Sequence, residues 1–173
     1  IEELTPLLDE VAHGGRNFGN GKQIFAATNC IACHKLNGVG QEIGQDLAKL
    51  DAKQKPADIL KSILEPSANI NEKFQSYIIE TKEGKVHTGL IVEETGSSIK
   101  ILENPLAKTA AVTIEKSNIE TRTKSPTSIM PKGLLDKLTR EEILDLLAYV
   151  IARGDQKSPV FGAAHNHDHH HDH

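Results

Sequence analysis

The spacing of apolar positions changes period twice along the chain. Over residues 1–13, Ile1, Leu4, Leu7, Leu8 and Val11 recur at helical spacing and Gly14-Gly15 ends the run, which predicts a short amphipathic lead-in helix. Gly19-Asn20-Gly21 punctuates, Asn20 with Gln23 resembles a capping box, and a helix is expected from about Gly21 with Ile24 and Phe25 on one face. Gly38, Gly40 and Gly44 follow in a flexible loop that permits close backbone approach to a flat ligand. Pro56 suits the first turn of a third helix carrying Ile59, Leu60, Ile63 and Leu64, which Pro66 stops. Helical spacing then gives way to short β-branched segments at Phe74–Thr81, Val86–Val92, Ser98–Leu102, Ala111–Glu115 and Asn118–Thr123. Lys82-Glu83-Gly84-Lys85 reads as a hairpin turn, and Gly96 and Asn104-Pro105 punctuate further on. Helical spacing returns after a loop at Ile129-Met130-Pro131. Thr139-x-x-Glu142 is a capping box, Ile143, Leu146, Leu147, Val150 and Ile151 form the buried face, and Arg153-Gly154 closes the helix.

Helices therefore flank a β-rich insert, and the expected class is α+β: a mainly helical fold with a small inserted antiparallel sheet or barrel. The expected units are a lead-in helix over 1–15, a helical domain from 16–72 and 126–155, an insert over 73–125, and a tail over 156–173. No internal repeat is visible.

Composition sharpens this picture. Of 173 residues, 38% are hydrophobic, only 3% are aromatic and none is Trp, so the helices alone would build a thin core. A buried macrocycle would supply the missing apolar surface. The formal charge of −4 excludes the strongly basic balance of a nucleic-acid binder. No apolar run approaches the ~20 residues of a membrane span. The chain has no signal peptide and no initiator Met, and reads as a processed protein or a piece of a longer one.

The candidate chemistry lies at Cys30-Ile31-Ala32-Cys33-His34, a C-x-x-C-H run that is the attachment signature for covalent haem c. Two intervening residues let both sulfurs reach the two vinyl groups, and a His after the second Cys supplies an axial nitrogen to the iron. These are the only two cysteines, so no disulfide framework is implied. Two other readings of C-x-x-C exist, a redox dithiol and half of a zinc site. The first lacks a preceding strand in a βαβ pattern, and the second lacks another cysteine pair. A haem iron that carries electrons takes two protein ligands, and a Met thioether opposite His raises its potential. Met130, the sole Met, stands in a polar loop beside the stiffening Pro131. It is the candidate distal ligand, with a packing role as the alternative.

The pattern Gly-x-x-x-Phe-x-x-x-x-Cys-x-x-Cys-His, then Gly-x-x-x-Gly-x-Asp-Leu, then Met-Pro before a helix ending Leu-Leu-Ala-Tyr resembles class I c-type cytochromes. Asp58–Pro66, Gly89–Thr95 and Ser128–Leu134 are similar, more narrowly, to a haem-binding domain family abundant in planctomycetes and verrucomicrobia. The resemblance covers about residues 16–153. It implies a cytochrome c fold with the β insert between the haem motif and the ligand Met, and one covalent haem c per chain. It makes Cys30 and Cys33 the thioether anchors, His34 the proximal ligand and Met130 the distal one. Such domains often end larger proteins, beside dehydrogenase-like or propeller domains. One departure stands out: class I cytochromes commonly have Gly-Pro-Asp-Leu where this chain has Gly44-Gln45-Asp46-Leu47. In that family the Pro carbonyl orients the axial His. Gln45 keeps a carbonyl for that bond but not the rigidity of proline.

The expected function is single-electron transfer by a monohaem cytochrome, exported or periplasmic because covalent haem is attached outside the bacterial cytoplasm. Its partner would be an exported dehydrogenase or another cytochrome, docking through a small interface, with oligomeric state left open. The alternative is a haem sensor or gas-binding module with a labile Met130. A peroxidase-like enzyme lacks an evident distal acid–base pair. His87 is expected on an exposed strand and His13 at a helix end, where a cation suits the dipole. The tail from His165 to His173 alternates imidazole and carboxylate, which suits zinc, nickel or copper, or is a purification tag.

Overall fold

The computed structural model describes residues 5–162, so the first four residues and the His-rich tail lie outside the described part. The lead-in is two pieces rather than one helix. A single turn, α1 (Thr5–Leu8), continues as a 3-10 turn over Asp9–His13. In a 3-10 turn, side chains three apart eclipse, which puts Leu8 and Val11 together in the core. Gly15 N and Arg16 N then bond to Gly162 O and Val160 O, tying this end to the last described turn.

Helix α2 (Phe18–Ala27) starts earlier than its glycines suggest. Its N-cap is Asn17, whose Oδ1 accepts from Asn20 N at 2.9 Å, so the Asn20/Gln23 box is not its start. Nor does the helix begin at Gly21. Gly21 is buried inside α2, where a Cβ would fall 2.7 Å from Tyr149 Cβ and closer still to Asp145 O. That clearance lets α2 cross α4 (Arg140–Ile151) almost backbone to backbone. Asp145, buried on α4, accepts from Asn17 N at 3.0 Å and faces Arg16 Nη1 at 3.7 Å, bracing the crossing with polar contacts. Helix α4 opens on the expected box: Thr139 N donates to Glu142 Oε2 at 2.7 Å and Glu142 N to Thr139 Oγ1 at 3.3 Å. Helix α3 (Pro56–Leu64) packs Ile59 and Leu60 inward. Leu146 and Leu147, fully buried on α4, centre a core shared with Phe25, Leu36 and Leu60.

Between α3 and α4 lie β1 (Ser76–Thr81), β2 (Val86–Glu94), β3 (Ser98–Leu102), β4 (Val112–Glu115) and β5 (Ile119–Lys124). All neighbours are antiparallel, in the order β4-β3-β2-β1-β5. β4 and β5 are therefore opposite edges, yet a 3-10 turn over Lys116–Asn118 joins them. In a flat sheet those edges would be four strand spacings apart, about 19 Å. Four Cα steps reach only about 14 Å at full extension. The sheet must curl enough to bring the end of β4 near the start of β5, without a ladder between them, so the sheet-or-barrel expectation resolves to a curled, open sheet. Register shifts at Ile91/Glu93 and Glu80/Thr81 supply the bend. Glu94, at the end of β2, clasps Arg122 of β5 at 2.9 Å and Lys116 of the connecting turn at 3.0 Å. Ile79, Ile99, Ile101 and Ile114 fill the interior as a second core.

Candidate functional site

Helix α2 ends at Ala27, and Asn29 turns the chain in the left-handed region (φ 62°) into a 3-10 turn over Cys30–Ala32. The turn carries the motif: His34 N donates to Cys30 O at 2.8 Å. The glycine-rich loop then folds back over it. Gln41 N donates to Ile31 O, Gly44 N to Cys33 O at 2.7 Å, and Leu47 N to Lys35 O. Gly40 sits at φ 107°, where a Cβ would collide with His34 O, so this turn requires glycine.

The same loop fixes the imidazole. His34 Nδ1 lies 2.7 Å from Gln45 O. A carbonyl only accepts, so Nδ1 carries the proton and Nε2 presents its lone pair. Gly44 lies flat against the ring, where a Cβ would stand 2.7 Å from Cε1 and 3.2 Å from Nε2. The ring is thus held by a backbone wall and one hydrogen bond, with Nε2 left without a hydrogen-bond partner among the described residues.

Cys30, Cys33, His34, Gln45 and Met130 all line one cavity of about 240 Å³. Its walls are mainly apolar: Ile59 and Ile63 from α3, Leu146 and Val150 from α4, Phe74 just before β1, and Leu106 from the turn between β3 and β4. Among the described residues, no Lys, Arg, Asp or Glu lines it. Met130 is half-buried, and its N–H donates to Ser128 Oγ at 3.1 Å. Ser128 N in turn donates to Ser67 Oγ at 2.9 Å. His87 is elsewhere, on β2, with Nδ1 3.1 Å from Glu103 Oε1. His13 is exposed and does not line the cavity.

The electrostatics separate the readings of the cysteine pair. Burial pushes the Cys30 thiol up, against a lowering hydrogen bond from Thr28, and burial followed by the neighbouring Cys30 pushes Cys33 up. A redox dithiol depends on a depressed thiol and an accessible thiolate. Among the described residues, no three His, Cys, Asp or Glu side chains gather into a metal site, whereas a structural zinc needs four ligands. Two thiols, an imidazole with Nε2 free and a thioether around an apolar slot suit a covalently attached haem. No local pattern marks Ser67 or Leu106 for these roles, and Gly44 reads in the sequence as flexibility rather than as a wall.

No curated protein matches the chain. A family model described as Cytochrome c matches residues 18–96, from the first residue of α2 to just past β2. It takes in Cys30, Cys33, His34 and Gln45 and stops short of Met130 and α4. Electron transfer through a covalently bound haem is the usual work of that family. The match, over the stretch that carries the cysteines and the oriented imidazole, supports a c-type cytochrome.

Proposed function

We propose that this chain is a monohaem c-type cytochrome domain that carries single electrons, with haem c anchored at Cys30 and Cys33 and ligated by His34 and Met130. Haem c supplies a one-electron Fe(III)/Fe(II) couple. The observation that carries the reading is that the two thiols, the imidazole and the thioether share the wall of one apolar cavity. His34 presents Nε2 because Gln45 O holds Nδ1, and Gly44 keeps the ring from rotating. The apolar walls keep water from the metal, which favours the less charged reduced state. A macrocycle held there would exchange an electron with a partner that docks at the mouth of the cavity.

The same reading includes a cytochrome c fold interrupted by the β insert and kinship with the planctomycete and verrucomicrobial haem-binding domains. It also includes an exported location, since covalent haem is attached outside the bacterial cytoplasm. Its partner would be an exported dehydrogenase or another cytochrome. Among the described residues, no helix is long and apolar enough to cross a membrane. A redox titration of the purified holoprotein, with and without CO, tests the function. The expected result is one one-electron wave and a reduced spectrum blind to CO. A reduced protein that binds CO rapidly would instead favour a gas-binding module with a labile Met130.

A further inference from the structure

The β sheet joins the helical part through a neck, and the neck runs directly into the loop that bears Met130. At its base, Gln75 Nε2 donates to both Ser76 O and Ser125 O at 2.8 Å, bridging the outgoing and returning strands. Ser125 N closes the pair on Ser76 O at 2.8 Å. Outside it, Lys124 pairs with Glu72 at 2.6 Å.

From there the chain is pinned at nearly every second residue. Ser125 Oγ bonds with Thr127 in both directions at 3.1 Å. Ser128 N donates across 61 residues of sequence to Ser67 Oγ, just beyond α3, at 2.9 Å. Ser128 Oγ then receives Met130 N. Pro126 and Pro131 remove two backbone donors and restrict the same stretch. Met130 thus hangs from a relay, Ser67 to Ser128 to its own N–H, and Gln75 separately holds the same stretch three residues before Ser128, at Ser125 O.

We propose that Ser67 and Gln75 are positioning residues for Met130, setting how readily its thioether yields the distal place and tying the β sheet to the ligation of the haem. This rests on the reading of Met130 as the distal ligand. A thioether is a weak neutral ligand, so its hold depends on how little freedom the loop has when the bond is absent. Loosening the loop by one hydrogen bond weakens that hold by about 3–10-fold. An external ligand competing for the same place gains the same factor.

The test is an imidazole titration of oxidised holoprotein, followed by the shift of the main haem absorption band, for wild type, Ser67→Ala, Ser67→Thr, Gln75→Ala and Met130→Ala. Thermal unfolding is measured alongside. Ser67→Ala is expected to bind imidazole roughly 3–10-fold more tightly than wild type. Ser67→Thr, which keeps the hydroxyl, restores the wild-type value, and Gln75→Ala shifts the same way by a smaller factor. Wild-type imidazole affinity in both Ser67→Ala and Gln75→Ala overturns the proposal, as does a shift in Ser67→Ala that tracks only its loss of thermal stability and is not rescued by threonine. If Met130→Ala binds imidazole no better than wild type, the ligand assignment itself fails and takes the proposal with it. The two failures are told apart by that variant alone.

Discussion

The helical part and the β sheet solve the problem of a core in opposite ways. The sheet is self-sufficient: four isoleucines close on one another inside a curl that Glu94 clasps from β2 to β5. The helical part has more apolar side chains, yet Ile59, Leu146 and Val150 belong to its core while also lining a cavity. Its core is arranged around a space rather than filling it. Void-lining side chains forfeit contacts on one side, so the helical core gains stability directly from whatever occupies the cavity, whereas none of the four isoleucines of the sheet lines it. One chain therefore contains a core that borders the cavity and a core that stands clear of it.

The largest effect that would break this contrast is loss of attachment. Replacing both Cys30 and Cys33 by Ala is expected to leave the amides of β1, β2 and β3 protected from hydrogen exchange while those of α2, α3 and α4 exchange freely. Equal loss of protection in both parts would abolish the distinction. A paired truncation sharpens it. Leu147→Ala and Ile99→Ala each remove a fully buried side chain and should each cost about 2–5 kcal/mol in the part that carries it, read by denaturant unfolding. Only Leu147→Ala is expected to disturb the haem spectrum as well.

The smallest effect concerns the clasp. Hydrogen bonds from Arg122, then from Lys116, hold the Glu94 carboxyl below its usual range. A depressed folded value stabilises the fold above the unfolded pKa of about 4.3 and loses that contribution as pH falls through the folded value. Glu94→Gln is therefore expected to lower the urea midpoint slightly at neutral pH and to match wild type in strong acid. A difference that persists in acid would assign the effect to packing rather than charge.

The sequence revealed what local chemistry dictates. The Thr139/Glu142 box, the Pro56 start and the five β-branched runs are self-contained signals, and the elements stand near where they point. The C-x-x-C-H run and the sole Met are equally plain, because few other roles need those residues at that spacing. What stayed hidden depends on neighbours distant in sequence. Gly21 reads as a helix start until Asp145 and Tyr149 cross it inside α2, and Gly44 reads as slack until the His34 ring lies on it. Asn20 with Gln23 reads as the cap in sequence, whereas the cap is Asn17, whose N–H pairs with buried Asp145, far away along the chain. The curl of the sheet follows from strand order, which no single strand discloses. Ser67 has no local mark because its partner, Ser128, arrives only after the whole sheet has been built.

The most direct measurement is the absorption spectrum of the holoprotein, oxidised, reduced and reduced under CO, for wild type and Met130→Ala. The account predicts a low-spin wild type with the weak red Met-to-iron band and no response to CO, and a variant that loses the band and binds CO. A high-spin or CO-reactive wild type, or a spectrum indifferent to the substitution, would contradict the pairing of His34 with Met130 on which the account rests.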